Sequence, residues 1–209
     1  MAHTSQPSVP PMSPLPDVLI APQDSATRDE AVAATQRWLE RAVIGLNLCP
    51  FAKSVHVKKQ IRYAVTGAQT ADELLSELEH ELQTLAETDP AILDTILLIH
   101  PQVMTDFIDF HFFLAEADAA LKNLGFDGVF QIASLHPHYE FAGSAADDIE
   151  NYTNRSPYPT LHLLREASID RAVAAFPDAA DIFERNIELM QRLGHEGWRR
   201  LWLDEAPKA

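Results

Sequence analysis

The chain has 209 residues, the length of one globular domain, and its 46% hydrophobic content is enough for a buried core. The composition excludes collagen, a coiled coil and a fully disordered chain, and no apolar run approaches the ~18 residues of a membrane span. Its net charge of −15 makes nucleic-acid binding an unexpected role, because an acidic surface repels phosphate. One cysteine excludes an intramolecular disulfide framework and a four-cysteine zinc site.

The acidity is uneven along the chain. Residues 41–71 contain five basic residues and no acidic residue. A small anionic ligand near Cys49 is therefore compatible with the overall negative charge.

The N-terminal residues 1–24 hold six of the 14 prolines and predict a disordered arm. Residues 25–205 are expected to form a single domain, and 206–209 a short tail. The arm lacks the basic and apolar regions of a secretory signal, and the cysteine is alone, so we expect a cytoplasmic protein.

The first predicted elements are a helix, a strand and a second helix. A capping box at Thr27 begins the first helix, which ends before Pro50. Alternating apolar and polar residues over 55–65 predict a strand in at least the second half of that segment. A second capping box at Thr70 begins a helix that ends at Asp89-Pro90.

Two apolar runs further along predict buried strands. Thr95–Ile99 is continuously apolar after its first residue and leads into His100-Pro101, and residues 128–135 lead into His136-Pro137. A helix is expected between them over 106–123, although alternation in its first half leaves a strand open there.

The remaining chain is read as a loop followed by helices. Residues 138–167 lack periodicity and predict a long ordered loop, of the kind that is often functional. Ser168 is a candidate cap for a helix to Ala175, and Pro177 for the start of another that stops at Gly194. The sequence thus predicts a single α/β domain with a small, mostly parallel sheet, flanking helices and a C-terminal helical segment.

The histidines at the two strand ends form the first candidate site. Ligands of open parallel sheets bind beyond the carboxyl ends of the strands, so neighbouring strands would place His100 and His136 on one rim. In extended chain His136, His138 and Glu140 share a face, and with His100 they form a candidate four-ligand set for a divalent metal such as zinc or iron. The alternative is that these are ordinary polar histidines.

Cys49 has two interpretations that the sequence leaves open. It is either a small hydrophobe buried at a helix end or the N-cap of a short helix starting at Pro50. In the second case the helix dipole would lower the pKa of the thiol and make it reactive.

A donor-rich segment follows the predicted third strand. Arg155 and Arg165 are candidates for clamping a carboxylate or phosphate, assisted by Asn154 and His162. The alternative is that the arginines pair with nearby acidic residues.

Four separated motifs carry a resemblance to a known family. They are Gly45-Leu-Asn-Leu-Cys-Pro-Phe51, Ile99-His-Pro101, Leu135-His-Pro-His-Tyr-Glu-Phe141 and Asn154-Arg-Ser-Pro-Tyr-Pro-Thr-Leu-His-Leu-Leu-Arg-Glu166. In this order the chain resembles, over about residues 28–195, the bacterial and plastid family catalogued as domain of unknown function 1415. The resemblance implies a single-domain soluble protein, and it identifies no catalytic residues.

From the residue chemistry we expect a small-molecule enzyme of unspecified reaction. His100, His136 and His138 would bind a metal or act as general acid and base, with Glu140 or Glu166 supporting them and Cys49 as a further participant. An anionic small molecule is the expected partner, and the oligomeric state is left open. The alternatives are a non-catalytic module that binds an anion or a protein, and a one-cysteine thiol redox protein.

Overall fold

The structure is a computed structural model that describes residues 25–175 and 181–202. Its helices and strands run in this order: α1 (Ser25–Trp38), continued by a π-helical segment (Leu39–Ile44), α2 (Ala52–Val57), β1 (Ile61–Val65), α3 (Ala71–Glu87), β2 (Thr95–Ile99), α4 (Phe107–Asn123), β3 (Phe130–Leu135), a 3-10 helix (Ile149–Thr153), β4 (Thr160–Arg165), α5 (Glu166–Ala174) and α6 (Ile182–Arg200). The α/β class predicted from the sequence is confirmed.

Local side-chain caps explain where the two central helices begin. The Thr70 hydroxyl accepts a hydrogen bond from the Glu73 amide, and the Glu73 carboxylate accepts one from the Thr70 amide, so the predicted capping box is present. Asp106 caps α4 by accepting bonds from the amides of Ile108 and Asp109, at 2.8 and 3.2 Å. The helix over 106–123, rather than the alternative strand, is therefore the observed form.

The four strands form one mixed sheet in the order β1-β2-β4-β3. Strands β1 and β2 are parallel, whereas β4 lies between β2 and β3 and is antiparallel to both. The prediction of a mostly parallel sheet is therefore wrong in this respect. The cause is Thr160–Arg165, predicted as part of a loop, which returns through the sheet as β4.

The two faces of the sheet pack against different layers. One face packs against α3 and α4 in a core that includes Ile96, Leu98 and Leu163. The other packs, near the ends of β1 and β2, against α1 and the π-helical segment, where Trp38 and Leu39 are buried. Because each strand alternates its side chains, neighbouring residues of β2 contribute to both cores.

Several predicted boundaries shift. Thr27 lies inside α1 rather than at its cap, and Val55–Val57 belongs to α2, so the strand over 55–65 exists in its second half alone. α5 begins at Glu166, ahead of Ser168, and the helix of the C-terminal segment kinks at Gly194, where φ is 62°, and then continues. The Pro-rich arm and Pro177 lie outside the described residues.

None of the helices in the described ranges is both long and apolar enough to cross a membrane.

Candidate functional site

The histidines that follow β2 and β3 lie at the same edge of the sheet, although these strands are not neighbours. Strand β4 separates them, and Thr160 at its start is paired with both Ile99 and Leu135. The backbone amide of His100 donates to the Pro159 carbonyl at 3.1 Å, and that of His136 to the Asn154 carbonyl at 3.2 Å. The loop that leads into β4 therefore fills the gap between the two histidines.

Both rings are buried and hold structural hydrogen bonds. Nδ1 of His100 bonds to the Val103 carbonyl at 2.9 Å, so this nitrogen carries the proton, and the buried Nε2 has no hydrogen-bond partner within the described ranges. Burial lowers the pKa of His100 to about 4, and the ring is neutral at pH 7.

His136 uses both of its ring nitrogens. Nε2 bonds to the Met104 carbonyl at 3.2 Å, and Nδ1 accepts from the His138 amide at 3.0 Å. Burial lowers its pKa as well. The Phe110 ring packs against both His100 and His136, with centroid distances of 5.5 and 5.3 Å. A Phe ring thus contacts both imidazoles at this edge.

The proposed metal ligands do not form a ligand set. Within the described ranges no group of three or more His, Cys, Asp or Glu side chains could hold a metal ion. His138 and Glu140 are exposed, whereas His100 and His136 are buried, and Nδ1 of His136 is occupied by an amide. The arrangement of these four residues therefore does not support the zinc or iron site.

Cys49 lies at a bend before α2, and Phe51 rather than Cys49 is the N-cap of that helix. Its half-buried side chain packs beside the core formed by α1 and the π-helical segment. Burial raises the pKa of the thiol, outweighing the backbone hydrogen bonds of Phe51 and Ala52, which lower it. The environment thus favours the protonated thiol over a reactive thiolate.

The two arginines of the donor-rich segment, Arg155 and Arg165, both donate hydrogen bonds to backbone carbonyls of the protein. Arg155 donates to the carbonyls of Tyr139 and Ala146, at 3.2 and 2.5 Å, and its guanidinium lies 4.2 Å from the Tyr152 ring centroid. These contacts hold the segment between β3 and the 3-10 helix together.

Arg165 lies at the end of β4, so its guanidinium is at the edge of the sheet opposite His100 and His136. It donates to the carbonyls of Leu85, Thr88 and Leu93, which belong to the end of α3 and the turn before β2. Glu166 follows at the same edge. The structure therefore does not bring Arg165 or Glu166 to the two strand-end histidines.

A large cavity lies over the face of the sheet opposite α3 and α4, and we call it the sheet cavity. Its volume is about 1280 Å³. The floor is formed by side chains of three strands: Thr95, Leu97, Ala133, Leu135, His162 and Leu164. The walls come from the segment 49–58, the loop 141–154, α5 and the start of α6. Concave and mostly apolar, it has the character of a small-molecule site.

Three residues predicted for the site besides Arg165 line this cavity, namely Cys49, Asn154 and His162, while His100, His136 and His138 do not. His162 and Thr95 are the polar side chains of its floor. Nε2 of His162 lies 2.8 Å from the Thr95 hydroxyl, which itself lies 2.6 Å from the Leu163 carbonyl. Because the hydroxyl has one proton, and the carbonyl can only accept, Nε2–H of His162 must be the donor to Thr95.

This hydrogen-bond order fixes the chemistry of the His162 ring. Burial lowers the pKa of His162 to about 4, so the ring is neutral at pH 7. With the proton on Nε2, the lone pair is on Nδ1, which has no hydrogen-bond partner among the described residues. The cavity floor therefore offers one neutral hydrogen-bond acceptor in apolar surroundings.

Comparison with known proteins places this arrangement in a family. A family model with the description "Protein of unknown function (DUF1415)" matches residues 30–200. The chain belongs to this family. No curated protein and no solved structure matches it. The resemblance inferred from the four motifs is confirmed, and the match to the DUF1415 family covers all four strands and the sheet cavity.

Sequence reasoning on this DUF1415 member missed Thr95, which orients His162, and Lys58 and Arg171, which line the same cavity. The signal that places His162 on a strand was the alternation within β4, whose even positions Thr160, His162 and Leu164 share a face. That alternation was hidden because Pro157 and Pro159 made the whole segment look like a loop.

Proposed function

We propose that this DUF1415 protein binds a small, largely apolar molecule in the sheet cavity, and that Nδ1 of His162 accepts a hydrogen bond from it. The observation that carries the proposal is the neutral imidazole of His162, held by Thr95, at the floor of an apolar cavity of about 1280 Å³. An apolar cavity gives affinity through burial, and a few placed polar groups give orientation. The single cysteine favours a reducing compartment such as the cytoplasm for this role.

The site proposed here differs from the one expected at the strand ends. The buried histidines there are engaged by carbonyls, an amide and the Phe110 ring. His162, expected to contact substrate, keeps that role, whereas Arg155 and Arg165 are assigned to holding loops.

The test uses 1-decanol, an apolar chain with one hydroxyl donor, and isothermal titration calorimetry at pH 7. We expect saturable one-to-one binding to the wild-type chain. Ala133→Phe fills the cavity from its floor and should abolish binding, whereas Ala119→Phe adds the same ring at an exposed position of α4 and should not.

The role of His162 is tested by His162→Phe, which keeps a ring and removes the acceptor. Loss of one hydrogen bond of about 1 kcal/mol predicts roughly fivefold weaker binding of 1-decanol. Unchanged binding in Ala133→Phe would place the ligand elsewhere, and unchanged binding in His162→Phe would remove the histidine from the proposal.

An enzymatic role in the same cavity is the second candidate. It is favoured by the unpaired Nδ1 of His162, whose opposite nitrogen is oriented by Thr95, as in sites where a base is held by a third group. The thiol of Cys49 lines the same space. Incubation with a metabolite extract, followed by mass spectrometry, should show a compound consumed by the wild type and not by His162→Phe. Consumption by both proteins would contradict this candidate.

A further inference from the structure

The sheet cavity extends along the strands from one edge of the sheet to the other. Thr95 and Leu164 line it at the start of β2 and the end of β4, and Leu135 and Asn154 line it at the end of β3. A strand of five or six residues is about 17–20 Å long, so the cavity fits an elongated molecule rather than a compact one.

One end of the cavity is rich in cations. Lys58 follows α2 and Arg171 lies on α5, and both line this end together with Arg165. Neither Lys58 nor Arg171 forms an ion pair with a carboxylate of the described residues. These two cations, on separate walls, lie at the same end of the cavity in a chain whose net charge is −15.

The acidic residues at this end balance only part of that charge. Asp94 accepts a hydrogen bond from Ser168 at 2.6 Å, and Ser168 in turn accepts one from Arg171 at 2.8 Å. Asp94 and Asp89 act electrostatically on Arg165, as does Arg171. Among the residues that line the cavity at this end, three cations, Lys58, Arg165 and Arg171, stand against one carboxylate, Asp94, so the lining favours an anionic ligand group.

The opposite end of the cavity has no cationic side chain in its described lining. Its charged residues are Asp148 and Glu150, and both accept hydrogen bonds from the protein, from the Ala145 amide and the Gln191 side chain at 2.7 and 2.6 Å. Between the two ends lie apolar side chains such as Leu97 and Ala133. Because the two ends of the cavity differ in charge, a ligand with one charged end would bind in a single orientation.

We propose that the ligand of the sheet cavity is an amphipathic monocarboxylate, with its anionic head at Lys58 and Arg171 and its apolar body along the strands towards Leu135. This inference rests on the proposed function and adds the class of the ligand to it. The head lies at the cationic end, where Arg171 is already oriented by Ser168. The apolar body of the ligand lies over the strands, and Nδ1 of His162 accepts a hydrogen bond from a hydroxyl group on that body.

The test compares two ligands that differ in one group. 1-Decanol and 10-hydroxydecanoate have the same length and the same hydroxyl, and only the second carries a carboxylate. Calorimetry at pH 7 is carried out on the wild type, on the double variant Lys58→Gln/Arg171→Gln, and on Lys53→Gln, an exposed cation of α2 outside the cavity.

We expect 10-hydroxydecanoate to bind the wild type about tenfold more tightly than 1-decanol, as two exposed charge contacts allow. The double variant should lose this advantage without a change for 1-decanol, and Lys53→Gln should behave as the wild type. Equal affinities of the two ligands for the wild type, or an undiminished advantage in the double variant, would overturn the assignment of the ligand class and leave the proposed function intact. Failure of both ligands to bind the wild type would instead overturn the proposed function.

Discussion

The imidazole rings of His100 and His162 are both neutral, but they differ in the surroundings of the ring nitrogen that forms no hydrogen bond. Nε2 of His100 is enclosed by the protein without a partner, whereas the free Nδ1 of His162 belongs to a residue that lines a cavity. An enclosed orphan nitrogen destabilises the fold by its lost hydration, and one at a cavity is available to a ligand. In the proposed function, the same residue type therefore has a structural role at the sheet edge and a binding role on the sheet face.

The low pKa of His100 makes stability depend on pH. Its folded pKa of about 4 lies below the ordinary value of about 6.5, so the unfolded chain binds more protons between these values. Stability is therefore lost as the pH falls from 7 towards 4, by about 2 kcal/mol between pH 7 and pH 5 from this residue.

The measurement is urea unfolding of the wild type and His100→Asn at pH 7 and pH 5. Asn keeps a donor for the Val103 carbonyl and does not titrate. The variant should show the smaller decrease in stability at pH 5, and His111→Asn, at an exposed position, should retain the wild-type decrease. An equal decrease in wild type and His100→Asn would refute this account of His100.

Arg165 is expected to affect stability rather than binding directly. Arg165→Gln removes the donors to the carbonyls of Leu85, Thr88 and Leu93 and should reduce the free energy of unfolding by about 2–4 kcal/mol. The exposed Arg192→Gln, which loses an ion pair within α6, should change it by no more than about 0.5 kcal/mol. Equal effects in urea unfolding would show that the three carbonyls do not depend on Arg165.

Among the elements, β4 determines the difference between the predicted and observed sheets. It enters between β2 and β3 in the opposite direction, which makes the sheet mixed and also brings His162 onto the cavity floor. The loop between β3 and β4 therefore sets both the topology and the site.

The capping of α4 gives a prediction at the same scale. Asp106→Ala removes the acceptor for the amides of Ile108 and Asp109 and should reduce the free energy of unfolding by about 1 kcal/mol. Asp118→Ala, in the exposed middle of the same helix, is the control and should have little effect on urea unfolding. A loss in Asp118→Ala as large as in Asp106→Ala would contradict the capping role.

The sequence was informative where local chemistry decides the structure. The capping box at Thr70 and the buried strand Thr95–Ile99 were predicted from a few neighbouring residues, and the structure confirms them. β4 depends instead on partners more than 20 residues away, so its short alternation was not decisive. A short sequence pattern predicts the presence of a helix or strand better than it predicts which strands pair with each other.

For the candidate site too, the sequence predicted what depends on local structure and missed what depends on tertiary packing. The strand-end histidines were expected at one edge of the sheet if their strands were neighbours; they lie at one edge because β2 and β3 run in the same direction, with β4 between them. Their burial and their hydrogen bonds depend on α4 and on the loop before β4, which residue spacing does not report. The cavity is assembled from three strands and the segments around them, so its existence could be read only from the packed chain.

For the whole molecule, the two faces of the sheet are unequal. The face against α3 and α4 forms a continuous core with Leu74, Leu78 and Phe110 fully buried. On the other face α1 and the π-helical segment pack against one part of the sheet, and the sheet cavity lies over the remainder. In the proposed function, stability and ligand binding therefore belong to opposite sides of one sheet.

The central claim is that the neutral imidazole of His162 receives a ligand in the sheet cavity. It is tested most directly by nitrogen-15 NMR of the histidine side chains at pH 7 during titration with 1-decanol. The account predicts that His162 carries its proton on Nε2 and that its Nδ1 resonance shifts with saturation in the wild type and does not shift in Ala133→Phe. A protonated His162 ring, or an Nδ1 resonance that stays unchanged in the wild type at saturating 1-decanol, would contradict it.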